Sequence, residues 1–150
     1  LGSFQSSQIK ARDSKRKGEL NQIAKALEVY YNDRGHYPLG SGSIVGCGDP
    51  ITPVACVGGE SWQDTNDTIY MVELPEDPKA PANVFNYIST DGRSYQLYAR
   101  LENNRDIDVP KDASNNPEVF SGLSCGSKEC NYGIASTNIT AREGRTVVVE

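Results

Sequence analysis

Four cysteines, one histidine, three closely spaced aspartates and one basic run are the residues of this 150-residue chain whose types and spacing could do chemistry. Cys47 and Cys56 bracket CGDPITPVAC, and Cys125 and Cys130 bracket CGSKEC, both in loop-like sequence. Four thiolates would suit zinc, but neither spacing is the C-x2-C knuckle, and His36 lies away from both pairs. Two pairs in polar loops read as disulfides, and therefore as an oxidising compartment. Of the three pairings open to four cysteines, the sequence-adjacent one, Cys47–Cys56 with Cys125–Cys130, is expected. Each closes a short loop and should contribute about 2–3 kcal/mol, chiefly by pinning it.

The remaining chemistry is sparse. His36 is the only imidazole, and it stands in a turn just before Pro38, beside no serine motif. A solvated turn histidine is the reading, because a nucleophilic triad needs a base next to its nucleophile. No P-loop, dinucleotide fingerprint, nucleophile elbow or H-E-x-x-H run occurs, so the sequence gives an enzyme no positive support. Asp106, Asp108 and Asp112 offer alternating oxygens to a calcium ion, although their spacing does not match an EF-hand loop. Solvated turn carboxylates are the competing reading. The sequons at Asn66 and Asn138 are short patterns that matter only where the source organism glycosylates them.

Charge is distributed unevenly. Residues 1–17 carry Lys10, Arg12, Lys15, Arg16 and Lys17 against Asp13 alone, whereas the remainder carries ten basic and nineteen acidic residues, for a net charge of −5. Such a split suits nucleic acid, anionic lipid or head-to-tail contacts between copies, and composition does not choose among them. Nucleic acid gains no support from the run itself, which lacks interleaved aromatics. A solvated helix face is the plainer reading.

These residues need elements to position them. Ile9, Leu20, Ile23, Ala24, Leu27, Tyr30 and Tyr31 repeat at helical spacing, which predicts one helix over residues 5–31. Its second half is apolar enough to lie on a core. Its first half, KARDSKRKGE, is too polar for that core and should project or meet another molecule. Gly35 and Pro38 mark the stop. Residues 39–68 read as a long irregular loop held by the first disulfide and by an inward Trp62. The runs around Asp91-Gly92 then predict a hairpin with a two-residue type I′ turn. In its second arm Tyr95, Leu97, Ala99 and Leu101 should face inward, with Gln96, Tyr98, Arg100 and Glu102 toward water. PEVFSG, NYGIAS and RTVVVE are further strand candidates.

The expected architecture is α+β: a long N-terminal helix packed on a small antiparallel sheet, with a disulfide-closed C-terminal region. One domain spans 1–150, divided into a helix and stalk (1–35), a helix-to-sheet loop (36–82) and a sheet with variable tail (83–150).

Three features in this order resemble the soluble part of a type IV pilin or a type II secretion pseudopilin. ALEVYYNDRGHYP is similar to that family's helix end, LPEDP to its Leu-Pro-x-Asp-Pro turn, and YQLYARLEN to the strand after its hairpin. The resemblance covers about residues 8–104. It implies a structural filament subunit, a pilin-like fold, and an apolar N-terminal segment that anchors the subunit in the inner membrane before assembly. That segment is not part of this sequence, so Leu1 is expected just past it. The partners implied are copies of itself and related subunits in a cell-surface filament, with Lys10, Arg12, Lys15, Arg16 and Lys17 facing acidic loops of a neighbour. Pseudopilins also bind calcium after the hairpin, which draws attention back to Asp106, Asp108 and Asp112. A pseudopilin with a calcium loop and a secreted adhesive or ligand-binding module are the alternative readings.

Overall fold

A computed structural model of the chain describes residues 2–150. A single helix, α1 (Gly2–Arg34), runs for 33 residues, beginning and ending three residues beyond the predicted span and passing through Gly18 unbroken. Gly35 ends it in the left-handed region at φ +78°, donating its N–H to the Tyr31 carbonyl at 2.7 Å. That is the single-bond cap which a residue without a Cβ adopts at little cost. Arg34 in the last turn faces the negative end of the helix dipole.

The main sheet has four antiparallel strands, β1 (Gly40–Gly42), β6 (Asn86–Ser89), β7 (Gln96–Ala99) and β9 (Tyr132–Ala135), in the order β1-β6-β7-β9. Against one face lies α1. Leu20, Ile23, Leu27 and Tyr30 are fully buried with Tyr87, Leu97, Ala99 and Leu101. This is the cover expected from the helical stripe, since a hairpin alone is not independently stable.

The opposite face departs from expectation. Gln96, Tyr98 and Arg100 are buried, not solvated. The tail wraps over them: β8 (Glu118–Phe120) and β10 (Val147–Val149) form an antiparallel ribbon. Phe120 meets Tyr98 edge-on at 5.0 Å, and the Tyr98 hydroxyl donates to the Ala141 carbonyl at 2.6 Å. The Gln96 amide donates to the carbonyls of Thr140 and Glu143. A second small core forms there from Ile88, Tyr98, Phe120, Leu123, Cys125 and Cys130. Alternation correctly separated two faces, but it reads polar side chains as wet when here they bond the backbone of a covering segment.

The hairpin turn also differs. Ile88 pairs with Gln96, so the connection is wider than two residues, and only Gly92 of the Asp91-Gly92 pair has positive φ. A type I′ turn requires both. Gly92 instead serves the helix exit, its carbonyl accepting the Tyr37 N–H at 2.8 Å.

The long loop is built, not irregular. Besides β1 it holds β2 (Val45–Cys47) paired with β3 (Val54–Ala55), and β4 (Trp62–Gln63), which pairs with β5 (Ile69–Met71) just after it. Trp62 is fully buried, as expected, and its indole N–H donates to the Gly46 carbonyl at 3.1 Å. Gly46, at φ +120°, has no room for a side chain: a Cβ would stand 3.0 Å from both Trp62 and Tyr30. Cys47 is bonded to Cys56 and Cys125 to Cys130. Among the described residues no helix is long and apolar enough to cross a membrane.

Candidate assembly surface

The polar half of α1 does not simply project. Asp13, Arg16 and Glu19 are buried, and Arg16 is fully so. An uncompensated guanidinium could not stay there, since burying a charge costs several kcal/mol without partners. Arg16 meets that requirement on every side. Its Nε and Nη2 donate to the two carboxylate oxygens of Asp77 at 2.8 and 3.0 Å, a planar fork on a planar acceptor. Its Nη1 donates to Asp13 Oδ1 at 2.8 Å and lies 3.3 Å from Glu102 Oε2.

The acids are saturated in turn. Asp13 accepts the backbone N–H groups of Glu102 and Asn103, each at 2.9 Å, so a helix side chain completes the hydrogen bonding of the chain just beyond β7. Asp77 accepts the Lys79 N–H at 2.8 Å. Glu102 also receives Arg12 Nε at 2.7 Å and Lys79 Nζ at 2.5 Å. Burial pushes the Glu102 carboxyl up, but hydrogen bonds from Arg12, Lys79 and Arg16 outweigh it and hold the group down at about 2. The aspartate of LPEDP is thus a bolt through which α1 grips the segment ahead of the sheet. Asp13 three residues before Arg16 was the one local signal for this cluster; Asp77 and Glu102 gave none.

Lys17 closes a second contact. Its Nζ lies 2.7 Å from Asp106 Oδ1 and 2.6 Å from Asp108 Oδ2, and 5.6 Å above the Tyr132 ring. Two of the three candidate calcium ligands therefore surround a lysine ammonium. Asp112 is elsewhere engaged, accepting the N–H groups of Ser114 and Asn116 at 2.8 Å and the Asn116 amide at 2.9 Å. No group of three or more His, Cys, Asp or Glu side chains placed to hold a metal occurs among the described residues. Asp106, Asp108 and Asp112, the aspartates considered for calcium, therefore do not form one such group in this structure.

The five cations of the basic run are not alike in this structure. Arg12, Arg16 and Lys17 are bound within the chain, because the acids that neutralise them lie on its own loops. Lys15 reaches only Glu19, at 3.6 Å, and Lys10 is exposed and makes no ion pair among the described residues. The front of α1 is the least covered part of the helix. Residues Gly2–Gln8 are all exposed, and Phe4 keeps 65% of its surface in water. His36 is exposed in its turn, as read, with Nδ1 2.9 Å from the Tyr37 carbonyl. Both sequon asparagines are exposed, although the Asn138 amide already donates to the Arg93 carbonyl.

The fold and this surface define an α+β protein with one long helix half-embedded in its own head. Comparison of the chain with protein-family models, with curated proteins and with solved structures found no match.

Proposed function

We propose that this chain is the head of a structural subunit of an extracellular or periplasmic type IV pilus-like filament, assembled through α1. One observation carries the reading: the helix continues through Gly2–Gln8 with every residue exposed, while Leu20–Tyr30 is anchored in the core. Gly2, Gln5 and Ser6 border Glu102–Asn104 yet stay exposed, so this polar extension adds no buried surface to the core of its own chain. On this proposal a neighbouring molecule covers that exposed extension. In this reading the mechanism is burial and exchange of subunit surfaces, not bond chemistry. The partners are copies of the chain and related subunits, and the inner membrane holds the subunit before assembly. The disulfides fit that route through an oxidising compartment. The version of this reading with a calcium loop loses its motive, because Lys17 stands between Asp106 and Asp108.

The test is the gene sequence directly before Leu1 together with electron microscopy of the producing cells. An apolar stretch of about 20 residues after a short basic leader, and filaments decorated by antibody to this chain, are expected. An ordinary cleaved signal with no retained apolar helix, and no decorated filaments, would sink the proposal in favour of a secreted binding module.

A further inference from the structure

Beside the bolt, a polar groove is lined by Lys15, Glu19, Gln22, Glu73, Glu76 and Asp77. Asp77 is spent on Arg16, which leaves Glu19, Glu73 and Glu76 facing one cation, Lys15. Glu73 and Glu76 are exposed and make no ion pair among the described residues. Glu19 is different: it is 8% exposed, and its Oε2 has no hydrogen-bond partner. Among the described residues its ion-pair partner is Lys15, at 3.6 Å on Oε1, and the Lys15 side chain is 62% exposed. Burial pushes the Glu19 carboxyl above the usual carboxylate range. A buried acceptor left open is costly, so it marks a place where a donor is missing.

We infer that this groove receives the Lys10 ammonium of a second copy of the chain, an inference that rests on the filament reading. A metal ion fits less well, since the carboxylates are not arranged to ligate one. On the donor side, Lys10 is the one residue of the basic run that is exposed and makes no ion pair among the described residues. The geometry is simple. Lys10 and Glu19 lie nine residues apart on one helix, so two parallel helices offset by about 14 Å bring them level. At that offset the exposed front of α1, about 10 Å long, would lie along its neighbour. A lysine donates in three directions, enough for Glu19 and for Glu73 or Glu76 together. Rotation of the Glu19 carboxylate about its last torsion, which is soft, presents either oxygen.

Zero-length carbodiimide crosslinking tests this on an equal mixture of nitrogen-14 and nitrogen-15 chain at high concentration. Mixed-isotope peptides joining Lys10 to Glu73 or Glu76 are expected. They should vanish in K10Q and in E73Q/E76Q, both of which change exposed residues and should keep the parent circular dichroism and melting temperature. Mixed-isotope crosslinks at other lysines, or none, overturn the inference. Microscopy judges the filament separately: filaments without this crosslink sink the contact, and the crosslink without filaments sinks the filament.

Discussion

Arg16 and Asp77, 61 residues apart in the chain and both without side-chain exposure, face each other through two parallel hydrogen bonds of 2.8 and 3.0 Å. The pair fixes the polar middle of α1 to the turn ahead of the sheet. Because both charges are dry, its loss is asymmetric: removing one partner strands the other. R16M should therefore lower the unfolding free energy by about 3–5 kcal/mol, read by urea denaturation at neutral pH. R16M/D77L should cost clearly less than the sum of the two single changes. A loss below about 1 kcal/mol for R16M would mean that the cluster does not hold the helix.

Glu102 makes the same cluster sensitive to acid. Its carboxyl, held at about 2 in the folded chain, returns to the ordinary value of 4.5 on unfolding. A lowered folded value gives stability that is complete above about pH 4.5 and disappears as the pH falls toward about 2. The loss across that window should be on the order of 2–3 kcal/mol from this group, and E102Q should flatten it. Melting temperatures of both proteins across the window decide the matter. Parallel curves would remove Glu102 from the account.

Glu19 has the opposite sign. Burial raises its carboxyl in the folded chain, with Lys15 only partly offsetting that effect. Above the ordinary carboxylate range the fold must then carry an ionised group it disfavours, so stability declines as the pH rises through the raised value. E19Q should melt higher than the parent at neutral pH, by a margin that closes below about pH 4. A variant that melts lower at neutral pH would show that the Glu19–Lys15 pair stabilises the head after all.

How much of this was legible beforehand follows from what each residue advertises. Leu20, Ile23, Leu27 and Tyr30 announced a buried face because apolar residues at helical spacing have few other uses. Gly35 and Trp62 were readable for similar reasons: a glycine after the last helical turn and a lone indole each have a narrow range of roles. Asp13, Arg16 and Glu19 misled because charged residues are mostly exposed, and burial by pairing depends on Asp77 and Glu102, whose nearness no local pattern encodes. Tyr98 and Gln96 misled in the same way, since the tail that covers them arrives from about 40 residues further on. The aspartates of the loop showed their chemistry but not their partner: Lys17 sits 89 and 91 residues before them.

That lysine yields a prediction about ions. Asp106 is drawn below the usual range: burial pushes it up, and the hydrogen bond from Lys17 outweighs that. With an ammonium between the two carboxylates, calcium would have to displace a covalently tethered cation. Added calcium should leave the melting temperature of the parent chain unchanged, and a chelator likewise. K17M should loosen the loop, seen as faster amide exchange over residues 103–112, at a stability cost of about 1 kcal/mol because the contact is partly exposed. Calcium-dependent stabilisation of the parent would overturn the assignment of Lys17 as resident cation.

The two disulfides should part company under reduction. Cys125 and Cys130 are fully buried in the second core beneath Phe120 and Leu123, whereas Cys47 and Cys56 are only partly buried at the edge of the β2–β3 ribbon. Exchange requires a thiolate to reach a sulfur, so access orders the reaction. Mild reductant should open Cys47–Cys56 first, detected by mass-resolved alkylation, while Cys125–Cys130 yields only when the tail detaches from Tyr98. Loops of nine and five residues' separation give comparable entropic terms, about 2–3 kcal/mol each, so stability alone would not set that order. F120A should therefore speed reduction of Cys125–Cys130 while leaving the first bond's rate unchanged. If both bonds open together in the parent chain, or if F120A accelerates neither, the tail does not shield the second bond as its packing indicates.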